Sequence, residues 1–184
     1  MKDEDRRPAA VVLGIFEQPP HGVIFIERSA RMRSHAGQIG LPGGGMDPGD
    51  GCDLRTTALR EMHEEVAVDP QRVTIVGELP VVRARANDYA VTPFVATVAP
   101  GDPLRIDQSE TVGVFTVPLE RVVRELREDM VPIGAFKIAS PVLDYGEKRI
   151  WGLTGHILRA FVNAWSEPQS ELRSRIEARL IATG

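Results

Sequence analysis

An uninterrupted apolar run near the start of the chain constrains the fold more than any other feature of the sequence. The run covers residues 9–16 and is partly β-branched; turn residues follow at 18–22, and a second apolar stretch covers 23–26. A short apolar run bounded by turn residues is typical of a buried strand. The pattern therefore predicts a hairpin of two buried strands, in a sheet that lies between helices.

Helical and strand patterns alternate through the rest of the chain. Leu54, Ala58 and Met62 recur near a four-residue period behind Asp53, which can cap the helix that this spacing predicts. The sequence predicts strands at 73–83, 90–98 and 112–117, and a pair of strands within 131–151. It predicts a helix after Pro118 and two more within 153–182, one before and one after Pro168. We predict one α/β (α+β) domain over residues 1–184, with a mixed sheet between helices and a C-terminal helical extension at 153–182. The last helix can pack on its own domain or on a partner chain.

Composition and charge restrict the classes of partner. The chain has 184 residues, enough to bury a core without disulfides, and a single cysteine, Cys52. A net charge of −4 argues against a nucleic-acid-binding surface, and no apolar run approaches the ~20 residues that span a bilayer. We expect a cytoplasmic protein with neither nucleic acid nor membrane as a partner, and a homodimer stays open.

Three glutamates mark the helix predicted after Asp53. Glu61, Glu64 and Glu65 fall on one side of it, where they repel each other unless a cation neutralises them. Arg60 offsets part of this repulsion, and a hard divalent cation would offset more. Oxygen ligands suit magnesium or manganese rather than zinc. For residues 60–65 alone, a solvated acidic face is the commoner explanation.

A glycine-rich segment upstream favours a binding site over a solvated face. Gly43, Gly44 and Gly45 follow Pro42 and supply a backbone that is free to adopt unusual dihedral angles. Main-chain amides and carbonyls in such a segment are open to a phosphate or a metal. The alternative is that these glycines are ordinary turn residues.

Residues 44–68 resemble the Nudix box, the signature of a family of pyrophosphohydrolases. The match reads Gly44-x5-Asp50-x9-Arg60-Glu61-Met62-x-Glu64-Glu65-x-Ala67-Val68, against the family pattern G-x5-E-x7-R-E-U-x-E-E-x-G-U with U aliphatic. Asp50 replaces the first glutamate, and the gap before Arg60 is two residues longer, so the role of Asp50 stays open. Ala67 replaces a glycine, which argues against a need for a positive φ there.

A second segment resembles the coenzyme A pyrophosphatase branch of that family. The branch pattern is roughly L-L-T-x-R-S, an arginine, H-x-G-Q and F-P-G-G, and the matching residues are Arg28, Ser29, Arg33, His35, Gly37, Gln38, Pro42, Gly43 and Gly44. Ile26 and Leu41 depart from it, in place of threonine and phenylalanine. Residues 91–95 and 150–154 also resemble this branch.

The resemblance implies a Nudix fold, an α/β/α sandwich around a mixed β-sheet, and hydrolysis of coenzyme A, or an acyl or oxidised form, to 3′,5′-ADP and 4′-phosphopantetheine. It implies Mg²⁺ or Mn²⁺ as the cofactor and a small-molecule nucleotide as the substrate. The catalytic residues it indicates are Arg60, Glu61, Glu64 and Glu65, with the three glutamates and the Gly44 carbonyl as metal ligands and Glu65 favoured as the base. The substrate-binding residues it indicates are Arg28, Ser29, Arg33, His35, Gly43 and Gly44, and Glu110 is a candidate assisting acid.

Alternatives stay open for several residues. Arg28 and Arg33 can be solvated or paired with nearby acids, His35 can satisfy the loop backbone, and Glu110 can be a plain exposed glutamate. Two other functions also stay open. One is hydrolysis of a different substrate, such as ADP-ribose, a dinucleotide polyphosphate or a nucleoside triphosphate; the other is nucleotide sensing without catalysis.

Two aromatic residues allow both a functional and a structural interpretation. Phe94 and Trp151 can each stack on a base. Core packing is the favoured interpretation for both.

Overall fold

The computed structural model describes residues 6–29, 38–83, 88–106 and 111–182. The strands are β1 (Arg7–Phe16), β2 (Gly22–Arg28), β3 (Ile39–Gly40), β4 (Gly43–Gly45), β5 (Val73–Glu78), β6 (Val82–Arg83), β7 (Tyr89–Val98), β8 (Thr111–Pro118), β9 (Arg127–Ile133), β10 (Phe136–Tyr145) and β11 (Lys148–Ile150). The helices are α1 (Leu54–Val66), α2 (Leu119–Glu125), α3 (Gly152–Ser166) and α4 (Glu171–Ala182).

A mixed sheet forms the centre of the fold. Strands β3, β2, β1, β7 and β5 lie side by side in that order, while β4 pairs with β1, β6 with β7, and β8 with β2. The β1–β7 pair is parallel over its whole length, from Arg7 opposite Tyr89 to Phe16 opposite Val98, and the other pairs are antiparallel. The predicted hairpin of β1 and β2 is confirmed. A second sheet of three strands contains β11, β10 and β9.

Side chains alternate between the two faces of the central sheet and bury both. On β2, Val23 and Phe25 join the core that includes α3, whereas Ile24 and Ile26 join the core that includes Met62 of α1. This alternation follows from the period of two in a strand. Helices on both faces explain why the first two strands are almost continuously apolar, and they confirm the predicted α+β class.

The C-terminal helix α4 packs on the chain's own sheet. Its Ile176 is fully buried, and its Arg179 Nε donates to Glu17 Oε1 at 2.8 Å. The Glu17 carboxylate is itself buried at the end of β1 and also accepts from the Thr97 hydroxyl at 2.9 Å. Of the two placements that the sequence left open, the structure shows packing within the chain.

Two strand predictions were wrong in their count. Residues 73–83 form β5 and β6 rather than one strand, because Pro80 between them has no N–H for the ladder. Where a pair of strands was predicted within 131–151, the structure has three, β9, β10 and β11, and β9 begins before that range, at Arg127. Its first residues are charged and form ion pairs, Arg127 with Asp144 and Glu128 with Arg159, so no apolar alternation marks its start.

Helix α1 begins as predicted and ends with an unpredicted backbone conformation. The Asp53 side chain accepts from the Arg55 N–H, which confirms the N-cap. At the other end Ala67 has φ 56° and ψ 31°, in the left-handed region, and its N–H donates to the His63 carbonyl. The expectation that an alanine at position 67 argues against a positive φ was wrong. Ala67 adopts the left-handed conformation although the family pattern has glycine at this position.

In the part of the chain that the structure covers, no helix combines the length and the apolar character required to cross a membrane.

Replacing Ala67 with glycine is expected to stabilise the protein. A left-handed conformation costs an L-residue about 1–2 kcal/mol, and the glycine's greater freedom in the unfolded chain offsets part of that gain. We expect Ala67→Gly to raise the free energy of unfolding by about 0.5–1 kcal/mol in urea titrations. The control Ala178→Gly, at an exposed position within α4, should lower it by about 1 kcal/mol. A loss of stability in Ala67→Gly would contradict the assignment.

Candidate active site

The Arg60 guanidinium is the centre of the acidic cluster. Its five N–H groups make five hydrogen bonds, to Asp50 Oδ1 (2.9 Å), Asp50 Oδ2 (3.1 Å), Glu61 Oε1 (2.9 Å), Glu64 Oε2 (2.9 Å) and the Gly45 carbonyl (3.1 Å). The predicted offset of glutamate repulsion by Arg60 is therefore present for Glu61 and Glu64. The same side chain also ties α1 to β4 through Gly45.

Asp50 is a partner of Arg60, which answers the question that the longer gap in the motif left open. Its side chain is buried, and Oδ2 also accepts from the Thr57 hydroxyl at 2.8 Å and from the Asp47 N–H at 2.9 Å. Hydrogen bonding to Arg60, assisted by the Asp47 N–H, holds the pKa of the Asp50 carboxyl well below its usual range. Asp50 therefore keeps its charge at neutral pH and fixes the arginine in place.

Glu61 lies against the backbone of β4. A Cβ atom added to Gly44 would lie 2.4 Å from Glu61 Oε1, so a glycine is required for the carboxylate to come this close. Burial raises the pKa of the Glu61 carboxyl, and the hydrogen bond from Arg60 opposes that rise. The predicted partners Gly44 and Glu61 are thus brought together.

Glu65 lies one turn further along α1 and is held by Gly43 and Arg28. Its carboxylate is buried, Oε2 accepts from the Gly43 N–H at 2.8 Å, and Oε1 is 3.6 Å from the Arg28 guanidinium. Arg28 also donates to the Gly43 carbonyl at 3.0 Å. Gly43 has φ 153°, and a Cβ on it would meet the Ala10 carbonyl at 2.3 Å. The three glycines are therefore a strand in close contact with two glutamates, not simple turn residues.

The donor set suits a hard divalent cation. Glu61 and Glu64 each place an oxygen 2.9 Å from the same Arg60 nitrogen, so two carboxylates already converge around a positive charge. Within the described ranges, no group of three acidic, histidine or cysteine side chains is close enough together to hold a metal ion. In this arrangement the glutamates pair with arginines instead. All-oxygen donors next to glycine carbonyls fit magnesium or manganese better than zinc.

A cavity of about 330 Å³ opens beside these residues. Five predicted site residues line it: Arg28, Gly43, Gly44, Glu61 and Glu65. Glu64 and Arg60 lie outside the lining, and the Glu64 side chain is 55% exposed. Ser29 is buried next to Arg28 and is also absent from the lining. Arg33, His35 and Glu110 lie outside the described residues.

Three further residues that line the cavity were not predicted as site residues from the sequence: Tyr89 of β7, Thr154 of α3 and Trp151 before α3. Trp151 belongs to neither core cluster found among the described residues, so core packing was the wrong interpretation for it. Phe94 is 2% exposed and lies in the core beside α1, which confirms core packing as the interpretation for this residue. The resemblance of residues 150–154 to the coenzyme A branch was the available sequence signal for Trp151.

Comparison with known proteins identifies the family. The NUDIX domain model matches residues 5–135. The chain is 34% identical over 162 residues to the uncharacterized Nudix hydrolase NudL of Salmonella dublin, covering 86% of this chain and 82% of that protein. The chain belongs to the Nudix family. Nudix hydrolases are pyrophosphohydrolases and generally need divalent metal ions, so this Nudix protein is an enzyme of that class.

Solved structures agree with the Nudix fold. A C. elegans Ap4A hydrolase in a binary complex has a TM-score of 0.56 at 19% identity, over 85% of this chain and 96% of that one. The M. smegmatis Nudix hydrolase RenU has a TM-score of 0.53 at 20% identity, over 64% of this chain and 73% of that one. At such identities the likeness concerns the fold, and it confirms the Nudix architecture of the chain.

Replacing Gly44 with alanine is expected to slow the enzyme without unfolding it. The added Cβ would overlap the Glu61 carboxylate and force it away from its present position. A displacement of about 1 Å in a catalytic group can cost about 100-fold in rate. We expect a loss of kcat of that order in Gly44→Ala, with a far-ultraviolet circular dichroism spectrum like that of the parent.

The matched control is Gly49→Ala, because a Cβ at Gly49 meets no atom within 4 Å. Its activity should stay within about twofold of the parent. Equal activity of Gly44→Ala and Gly49→Ala would show that the Glu61 position does not matter for turnover.

Proposed function

We propose that this Nudix enzyme hydrolyses the diphosphate bond of coenzyme A, or of an acyl or oxidised form, to 3′,5′-ADP and 4′-phosphopantetheine. The observation that supports it most is the arrangement of the cavity. The helix that carries Arg60, Glu61, Glu64 and Glu65 forms one wall, and Arg28 of the segment that resembles the coenzyme A branch forms another. The helix with the proposed metal ligands and an arginine of the proposed substrate-binding segment therefore line the same cavity.

We propose Glu61, Glu64, Glu65 and the Gly44 carbonyl as the residues that hold Mg²⁺ or Mn²⁺. When bound, such ions lower the pKa of water and stabilise charge on the attacking and leaving oxygens. Arg60 orients Glu61 and Glu64, because its hydrogen bonds fix both carboxylates relative to Asp50. These roles are supported by the carboxylate geometry and by the intact second half of the Nudix box.

Glu65 is the base that we favour. Its Oε2 is fixed by the Gly43 N–H, and it faces the cavity in which Arg28 can receive a phosphate oxygen. In the proposed step, water attacks one phosphorus, Glu65 takes up a proton, and the bridging P–O bond breaks. The leaving phosphate keeps the electron pair of that bond. Ser29, Arg33 and His35 remain proposed substrate-binding residues, and Glu110 remains a candidate assisting acid.

The organisation of the chain supports a single domain. Both hydrophobic cores share the central sheet, and α3 and α4 pack on it rather than standing apart. We therefore propose that residues 1–184 form one Nudix hydrolase domain, with residues 153–182 as its C-terminal helical part. A cytoplasmic location and the absence of nucleic-acid and membrane partners remain predictions from the sequence.

A mass-resolved hydrolysis assay tests the proposed function. The protein is incubated with Mg²⁺ or Mn²⁺ and, in parallel, coenzyme A, ADP-ribose and a nucleoside triphosphate. We expect release of 3′,5′-ADP from coenzyme A, reduced by about 1,000-fold or more in the double variant Glu64→Gln, Glu65→Gln. The control is Glu120→Gln, whose side chain is 77% exposed on α2 and whose loss should leave turnover unchanged.

Each other outcome contradicts a different part of the proposal. Turnover of ADP-ribose or the triphosphate without coenzyme A would reject the substrate and keep the helix assignment. Absence of turnover on all three would favour a nucleotide-binding sensor. Turnover that survives the double glutamine variant would reject the catalytic residues.

A further inference from the structure

The cavity lining combines two chemical kinds of residue. Arg28, Glu61 and Glu65 carry charge and lie beside the glycines of β4. Much of the remaining lining is aromatic or aliphatic, and it includes Val91, Trp151, Leu153 and Ile157. The proposed substrate also has different parts: a central diphosphate, an adenosine arm with a 3′-phosphate, and a pantetheine arm without charge.

Charge decides which arm suits the cavity. The 3′-phosphate lies on the ribose, close to the diphosphate, so an adenosine arm in the cavity would place it near Glu61 and Glu65. Arg28 is the cation among the described lining residues, and it already contacts Glu65 and the Gly43 carbonyl. The proposed Mg²⁺ or Mn²⁺ ions are shared between the glutamates and the diphosphate, so this already engaged arginine is the cation that the described lining offers to a second phosphate. A neutral arm needs no such cation.

The size and the lining fit the neutral arm. A volume of about 330 Å³ is at the lower end of small-molecule sites, enough for one arm of the substrate rather than all of it. Trp151 is half-buried and outside both cores of the described chain, whereas Trp165 packs against the core of α3. An aromatic ring that borders a cavity, rather than filling the core, is available to cover an apolar chain.

We propose that this cavity is the binding site for the pantetheine arm, that Trp151 covers that arm, and that the adenosine arm lies outside it. The inference rests on the proposed coenzyme A hydrolysis. It makes Trp151 a specificity-determining residue that favours substrates with an elongated, uncharged arm attached to the diphosphate.

Substrates with shared halves test this assignment. Coenzyme A and dephospho-coenzyme A share the pantetheine arm, whereas ADP-ribose shares only the adenosine diphosphate part. We expect Trp151→Ala to lower kcat/KM for both coenzymes by about tenfold or more, and for ADP-ribose by about threefold or less. Trp151→Phe should keep most of the activity on the coenzymes. Equal losses of kcat/KM on all three substrates would place adenine in the cavity. If Trp151→Ala and the parent enzyme had the same kcat/KM on every substrate, Trp151 would have no part in substrate binding.

A binding measurement that needs no turnover tests the same point. The chain has two tryptophans, so Trp165→Phe leaves Trp151 as the sole indole fluorophore. In that variant, 4′-phosphopantetheine should change the fluorescence in a saturable way, and 3′,5′-ADP should change it by less than about a fifth as much at saturation. A larger response to 3′,5′-ADP would overturn the inference.

The two proposals fail in different ways. If the unmodified enzyme does not turn over coenzyme A, the proposed function fails, whatever the fluorescence shows. If coenzyme A is hydrolysed but Trp151→Ala affects all substrates equally, the function stands and the arm assignment fails.

Discussion

The hydrogen bonds of one arginine hold the segments of the candidate active site together. Arg60 uses every N–H of its guanidinium, and its partners come from α1, from β4 and from the short turn that contains Asp50. A planar group with donors in fixed directions can connect three segments in this way, whereas a lysine cannot. The buried Asp50 carboxylate is the fixed point of the network, because it also accepts from Thr57 and Asp47.

The central sheet brings the glycine strand close enough for this network to form. Strand β4 pairs with β1 through Gly43, Gly44 and Gly45, and Met62 on the buried face of α1 packs into the core below. Any side chain at Gly43 or Gly44 would collide with β1 or with Glu61. The close approach of α1 and β4 therefore depends on the absence of side chains, and it defines one wall of the cavity.

Local patterns in the sequence predicted much of the fold and five of the residues that line the cavity. Periodicity and the Asp53 cap located α1, and the same spacing placed three glutamates on one side. Asp50 was not assigned as the partner of Arg60, because that pairing spans ten residues across a turn. Trp151 was taken as a core residue, because its position depends on how α3 packs against strands distant in sequence. The left-handed Ala67 shows that backbone conformation can persist where the favoured residue is absent.

Manganese binding by an Arg60→Lys variant tests most directly whether Arg60 organises the glutamates or only neutralises them. Free Mn²⁺ can be titrated by electron paramagnetic resonance, without substrate, in the parent and in the variant. If Arg60 positions Glu61 and Glu64 for the metal, the Kd for Mn²⁺ should increase by about tenfold or more in the variant. An unchanged or lower Kd would show that Arg60 is only a counter-ion that competes with the metal, and it would contradict this account.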